Sequence, residues 1–406
     1  MVTMRPCFIA YQKIVKEMFF KIIKIIKLLF IGFPTYLFNY KKLIKIEYVV
    51  YLFSSRFGHF LQNTEIFLRD VKSTEKYLFV CEDQIDNLDL FNIWSKHINI
   101  WPNSLGNFMR FFLNKKPIHI KSLTVPQNKK YLKNRVIKNI KLNPDYKVLQ
   151  NLKEKKYITV TIRDSKYNEK MYNDFRDSFR NTKIKDFKKT INSLNKGNLN
   201  FVKVNKSFKK FNLRNFTDYG FSNNYNLDTV FSLINEAYYH IGSGTGLDSY
   251  AAFADKQLVI FNVIFGSNFM SKLHTVPSMF IPINTFYKKT NRIVPLRNQF
   301  EMYKISEKKF NVAQFEKKEM DYFGIYQETN SFDEMKNAIK EYEKLINNSF
   351  SLDKETKNVQ KSFWSNSPKT WNYNNKIKKI NFFNKKFKGS FLISKYYVHK
   401  HKEFLL

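Results

Sequence analysis

Three glycines crowd one corner of a chain that holds only 11. In "YYHIGSGTGLDSYAAFADKQLVIFNV", from Tyr238 to Val263, Gly242, Gly244 and Gly246 alternate with Ser243 and Thr245. An apolar run precedes the corner and the β-rich run Leu258 to Val263 follows it. Residues of these types can bind a phosphate. Glycine lets the backbone approach closely and turn through φ > 0. A helix starting there offers free N–H groups and a positive dipole end. Ser243 and Thr245 add hydroxyl donors. Thr245 and Asp248 also fit a capping box, in which case the corner is simply a capped turn. The spacing is not GxGxxG, because Leu247 stands at the third glycine position, and no Gly-Lys-Ser/Thr follows as in a P-loop. Dinucleotide binding and ATP hydrolysis are therefore disfavoured.

Other residues could act around such a phosphate. Arg163, in "VTIRDS", is expected at a strand end. Its planar fork can hold two phosphate oxygens and stabilise a leaving diphosphate. Asp164 would orient it or act as a base, and a surface ion pair between the two is the alternative. Arg180 and Asn181 follow a loop containing Tyr172 and are candidates to touch acceptor or phosphate, or Asn181 caps the next helix. His59, after Gly58, falls in a predicted strand-to-helix loop. A histidine there can take a proton from a hydroxyl, with Glu65 as the second candidate and a structural histidine as the alternative. No metal motif, DxD pair near a strand end or cofactor motif occurs. No metal and no cofactor are expected, with Arg163 and helix N–H groups meeting the charge.

The elements that must position these residues alternate strand and helix. "EYVVYLF", "KYLFVC" and "INIWP" read as strands, with helical "NTEIFLRDV" and "NLDLFNIWSKH" between them. "YITVTI", "NFVKV", "YYHIG" and "QLVIFNV" read as strands of a second half. Its helices are "KIKDFKKTINSL", "NLDTVFSLINEA", "GLDSYAAFA" and "SFDEMKNAIKEYEKL", the second N-capped by Asn226. The alternation predicts an α/β fold with mostly parallel sheets. Four segments follow: 1–45, 46–150, 151–345 and a basic aromatic tail, 346–406, in which His399 and His401 read as solvated.

The chain of 406 residues is 43% hydrophobic, enough for two cores, and carries a net charge of +36. A solvated basic surface or an anionic partner accounts for that charge. Cys7 and Cys81 are far apart and form no CxxC, which suits a reducing compartment. In "MFFKIIKIIKLLFIGFPTYLF", Lys21, Lys24 and Lys27 interrupt the apolar residues at helical spacing. The uncharged run from Leu28 to Tyr40 is too short to span a bilayer, and Pro34 is expected to bend or end the helix. A basic amphipathic helix on an anionic membrane surface is expected, with packing on the protein's own core as the alternative.

The blocks "RFGHFLQNTEIFLRD", "YITVTIRDSKYNE", "FRNTKIKDFKKTINSLNKG", "FTDYGFSNN" and the glycine corner resemble, in order and spacing, those of a bacterial glycosyltransferase family. "VTIRDS" and the corner are also distantly similar to the fucosyltransferase superfamily. The resemblance implies a GT-B-like α/β protein of two Rossmann-like domains facing a cleft. In it the 46–150 domain is acceptor-side and the 151–345 domain binds a nucleotide sugar at Arg163, Lys203 and the 242–246 corner. It also implies transfer of a sugar to a glycan or lipid-linked acceptor in surface glycoconjugate synthesis, and the basic N-terminal helix would hold the protein at the cytoplasmic face of the membrane. In "GNLNFVKVNKS", Lys203 and Asn205 stand where the family has an arginine and a glycine, and Thr161 stands where many superfamily members have a histidine. A degenerate, non-catalytic transferase fold is one alternative. A nucleic-acid-binding protein is another, although no specific nucleic acid is expected.

Overall fold

A computed structural model of the chain describes residues 18–19, 22–23, 25–71, 73–81, 84–120, 136–153, 156–163, 181–194, 199–206, 210–264, 277–310, 315–348, 351–367 and 391–406. The chain divides into two compact units, Met1–Leu123 and Thr124–Leu406.

The first unit opens with a π-helical turn, Leu28–Gly32, followed by α1 (Phe33–Phe38) and α2 (Tyr40–Leu43). Then come β1 (Tyr48–Leu52), α3 (Phe57–Asp70), β2 (Tyr77–Cys81), α4 (Leu88–Ser95), β3 (Ile100–Trp101), α5 (Asn103–Phe112) and β4 (Lys116–His119). The strands form one parallel sheet in the order β3-β2-β1-β4. "YVVYL" and "YLFVC" are buried along almost their whole length, as strands covered on both faces must be. β4, "KPIH", carries lysine and proline instead. It lies at the sheet edge, where the missing proline N–H needs no partner.

Pro34 does not end the N-terminal helix. Helical backbone runs from the π-helical turn Leu28–Gly32 straight into α1, which carries Pro34 at its start. One face of this segment packs inward. A Cβ on Gly32 would stand 2.6 Å from the Ser104 carbonyl oxygen, so only glycine lets the segment approach α5 so closely. Phe33 and Tyr36 lie against Phe108 with ring centroids 5.5 Å apart. Leu43 is buried with Val49, Leu78, Leu105 and Met109 in the core of the unit.

The second unit holds α6 (Tyr146–Lys153), β5 (Tyr157–Val160), α7 (Ile184–Leu194), β6 (Asn200–Lys203), β7 (Phe216–Asp218), α8 (Leu227–Glu236), β8 (His240–Gly242) and α9 (Gly246–Phe253). It continues with β9 (Leu258–Val263), β10 (Ser278–Pro282), β11 (Asn284–Tyr287), α10 (Leu296–Phe310), α11 (Lys317–Phe323) and β12 (Ile325–Glu328). It closes with α12 (Phe332–Asn347), α13 (Lys354–Asn366), β13 (Phe391–Ile393) and α14 (Lys395–Lys400). Seven strands form a parallel sheet in the order β13-β10-β9-β8-β5-β6-β7, and β11 and β12 pair antiparallel beside it. Asn226 caps α8 by accepting from Thr229 N at 2.8 Å. Residues 143–145 bond to the second unit, since Asn143 N and Asp145 N donate to Asp228 and Thr229 of α8.

The end of the basic aromatic tail is built into this sheet. β13 pairs with β10, and Gln360 of α13 exchanges two hydrogen bonds with the Ile393 backbone. His401 is not solvated. Its Nε2 lies 2.6 Å from the buried Glu334 carboxylate, which Lys400 also reaches at 2.9 Å.

Candidate functional site

β5 is the first strand of the seven-stranded sheet, and the chain adds to both of its sides. β6 and β7 are laid on one side, then β8, β9, β10 and β13 on the other. The strand order therefore reverses between β5 and β8, and the crevice beyond the carboxyl ends at such a switch point is where open parallel sheets bind ligands. Arg163 follows β5 and the glycine corner follows β8. The fold brings them together. Arg163 N donates to Ser243 Oγ at 2.6 Å, and its guanidinium Nη1 donates to the Gly244 carbonyl at 3.4 Å.

The glycines serve different ends. A Cβ on Gly242 would stand 2.4 Å from the Asp248 carboxylate, so that residue is glycine to admit Asp248. Gly244 turns through φ 79°, which side chains rarely adopt. Gly246 opens α9. The capping box is present: Asp248 Oδ2 accepts from Thr245 N at 2.7 Å, and Thr245 Oγ1 donates to Oδ1 at 3.0 Å. Beneath the turn, buried His240 places Nε2 3.1 Å from Asp248 and Nδ1 2.9 Å from Thr159 Oγ1. Thr161 also bonds Asp248, so its hydroxyl belongs to this shelf. Ser243 Oγ, buried, donates to the Thr161 carbonyl at 3.3 Å besides accepting from Arg163. The Ser243 and Thr245 hydroxyls thus rigidify the turn. The N–H groups of Gly246 and Leu247 lie in the first turn of α9, outside its own hydrogen-bond ladder.

Lys203 takes another position from the one expected. It is 1% exposed, its ammonium lies 3.1 Å from Asp218, and it donates to the Asn205 carbonyl at 2.7 Å. Asn205 in turn exchanges two 2.9 Å hydrogen bonds with the Ile162 backbone, tying the end of β6 to the end of β5. A Cβ on Gly220 would overlap the Asn205 carbonyl, so Lys203, Asn205, Asp218 and Gly220 form one packed knot. Lysine and asparagine stand there because the knot uses their bonds.

Three residues that pattern reading passed over complete the rim. Asn262, at φ 54° near the end of β9, is buried and exchanges bonds of 2.7 and 2.6 Å with Asn330. Its side chain donates to Thr182 Oγ1 at 3.1 Å, and Thr182 N donates to the Arg163 carbonyl at 3.2 Å. A buried asparagine in a left-handed conformation held on several sides is strain kept in place by its neighbours. Its only sequence signal is an asparagine inside a β-rich run, "LVIFNV". Beside Thr182, Asn181 Oδ1 is buried and accepts no hydrogen bond. Asp164, Tyr172 and Arg180 lie outside the described residues.

In the first unit the strand order reverses between β1 and β4. His59 lies near this edge, in the first turn of α3 rather than in the loop before it, because the helix begins at Phe57. Its ring centroid is 5.2 Å from that of Phe53. Glu65, the second base candidate, is buried and ion-paired with Arg69 at 2.6 Å, which fits it poorly for proton transfer. His119, at the end of β4, stacks on Tyr51 at 4.7 Å.

Parallel sheets with these switch points make each unit Rossmann-like, and the chain an α/β protein with a candidate phosphate site at the carboxyl edge of its larger sheet. No family model and no curated protein matches the chain. The resemblance to a glycosyltransferase family therefore stands on the quoted blocks alone. Among solved structures, that of E. coli ADP-heptose LPS heptosyltransferase II is similar to this chain at 9% sequence identity and a TM-score of 0.41. The likeness covers 58% of this chain and 90% of that one.

Proposed function

We propose that the chain is a metal-independent glycosyltransferase of the GT-B type. It moves a hexosyl or deoxyhexosyl group from a nucleotide sugar to a glycan or lipid-linked acceptor in bacterial surface glycoconjugate synthesis. It works at the cytoplasmic face of the membrane, with residues 1–45 as the membrane-associating segment.

One observation carries the reading: the guanidinium of Arg163 and the glycine turn meet at the β5/β8 switch point, 3.4 Å apart. In this proposal the donor diphosphate lies over the backbone of the 244–247 turn, at the positive end of α9. Arg163 holds the leaving phosphate and stabilises the charge that develops as the glycosidic bond breaks. Asp164 orients Arg163, and Tyr172, Arg180 and Asn181 contact acceptor or phosphate. His59 takes the acceptor's hydroxyl proton.

Thermal unfolding against a panel of nucleoside diphosphates and nucleotide sugars tests the reading. A ligand that binds only the folded chain at 100 times its Kd adds about 2.7 kcal/mol of stability. At least one nucleotide is expected to raise the Tm of the wild type and not of Arg163→Ala. A panel without any shift overturns the proposal. A second reading, the same fold without catalysis, draws on Lys203, whose ammonium is committed to Asp218. Nucleotide binding with no turnover of any donor would select it.

A further inference from the structure

The N-terminal segment has two faces. Gly32, Tyr36 and Leu43 turn inward onto α5 and the core. Other residues of the segment turn outward, with Phe30 and Phe38 at 75% and 89% exposure and Ile22, Ile25, Leu29 and Leu37 also open. The apolar surface does not stop at the segment. Phe33, itself partly open, lies against Phe108, and Phe108 stacks on Phe112 at 5.2 Å. Phe111 and Phe112, at the end of α5, are 65% and 59% exposed. Phe108 itself is buried, and the open rings of Phe33 and Phe112 both pack on it, so exposed aromatic surface of the segment and of α5 lies to either side of one buried ring.

Charge decides what covers it. Lys27, Lys41, Lys42 and Lys45 of the segment and Arg110 and Lys116 at and after α5 are exposed, Arg110 lies 5.2 Å over the Phe111 ring, and the acidic residue that follows the segment, Glu47, is paired with Lys76. No acidic residue occurs from 18 to 46. A second copy of the chain would set two basic rims against each other, whereas an anionic bilayer supplies hydrocarbon for the aromatics and negative headgroups for the rim. Among the described residues no helix is long and apolar enough to cross a membrane. We infer that the first unit docks on an anionic bilayer surface through a composite face, the open side chains of residues 18–19, 22–23 and 25–44 together with Phe111 and Phe112. This deepens the membrane association in the reading above. It is independent of the transferase chemistry.

The inner packing sets the choice of experiment. Deleting residues 1–40 would expose the unit's core, so substitutions at open positions are used on the full chain. Co-sedimentation is measured with vesicles of phosphatidylglycerol and phosphatidylcholine in equal parts, and with phosphatidylcholine alone. The wild type is expected on the anionic vesicles only, and less at high salt. Phe111→Glu with Phe112→Glu, and separately Lys41→Glu with Lys42→Glu, are each expected to weaken binding about tenfold or more. Circular dichroism checks folding, and the lysine pair keeps the test alive if the phenylalanine pair misfolds. Nucleotide-induced thermal shifts in the same variants separate this surface from the transferase reading. Absence of vesicle binding, equal binding to neutral vesicles, or unchanged binding in the folded variants overturns the inference. A self-associated wild type that the Phe111→Glu, Phe112→Glu variant turns monomeric, with no vesicle binding, assigns the face to a second copy and also overturns it.

Discussion

Arg163 and the residues it meets separate binding from support at the glycine corner. Removing one preorganised donor costs on the order of 10²–10³-fold in kcat. Arg163→Ala is expected to lose that much in a nucleotide-sugar transfer assay, and Arg163→Lys to recover only part, since the planar fork is gone. Full activity in the alanine variant would place Arg163 outside the chemistry. Gly242→Ala works differently, because the new Cβ would press on the Asp248 carboxylate at 2.4 Å. Overpacking of this kind costs about 1–3 kcal/mol, read as a lower urea midpoint; an unchanged midpoint would mean that Asp248 can step aside. Lys203→Ala should also destabilise, by about 3–5 kcal/mol, because it strands a buried Asp218 carboxylate. If Lys203 supports rather than binds, nucleotide affinity of the folded variant stays as in the wild type. A large loss of affinity would put Lys203 back in the donor site.

At the scale of elements, the C-terminal residues lock to α12 through two carboxylates, Glu341, which accepts from Ser394 and the Lys395 N–H, and Glu334. Burial alone would raise the Glu334 carboxyl, but bonds from His401, the Ser331 N–H and Lys400 outweigh it and bring it down to about 2. The folded value lies below the ordinary 4.5, so the stabilisation is complete above 4.5 and is lost as pH falls toward 2. It amounts to about 3 kcal/mol at neutral pH. Denaturant midpoints are expected to fall across that window in the wild type and to change less in Glu334→Gln. Parallel pH profiles would show that the carboxylate does not link the tail to α12. These contacts join residues about 70 positions apart (Glu334 and His401 bond across 67), and for that reason a chain-local pattern could not show them.

For the whole molecule, the net charge of +36 invites a nucleic-acid reading. Attraction to phosphates through surface lysines falls steeply with salt and ignores sequence. Duplex DNA is expected to hold the protein at low salt, to release it by about 200 mM salt, and not to be displaced by a nucleoside diphosphate. Sequence-specific retention at that salt would favour a nucleic-acid-binding function over the proposed transferase.

The sequence by itself determined the elements whose signals are local. Buried parallel strands such as "YVVYL" and "LVIFNV" need continuous apolar runs, and helix starts such as Asn226 and Ser331 need a cap within three residues. It also placed Arg163 and Gly244 as candidates, since their chemistry is written in residue type. Only the tertiary structure decided which of these side chains meet. Strand order put Arg163 beside Ser243, 80 positions away. Packing set Gly242 against Asp248 and paired Lys203 with Asp218. Edge strands β4 and β13 and the strained Asn262 stayed hidden, because what holds each in place is a partner distant in the chain, and a sequence pattern records only near neighbours.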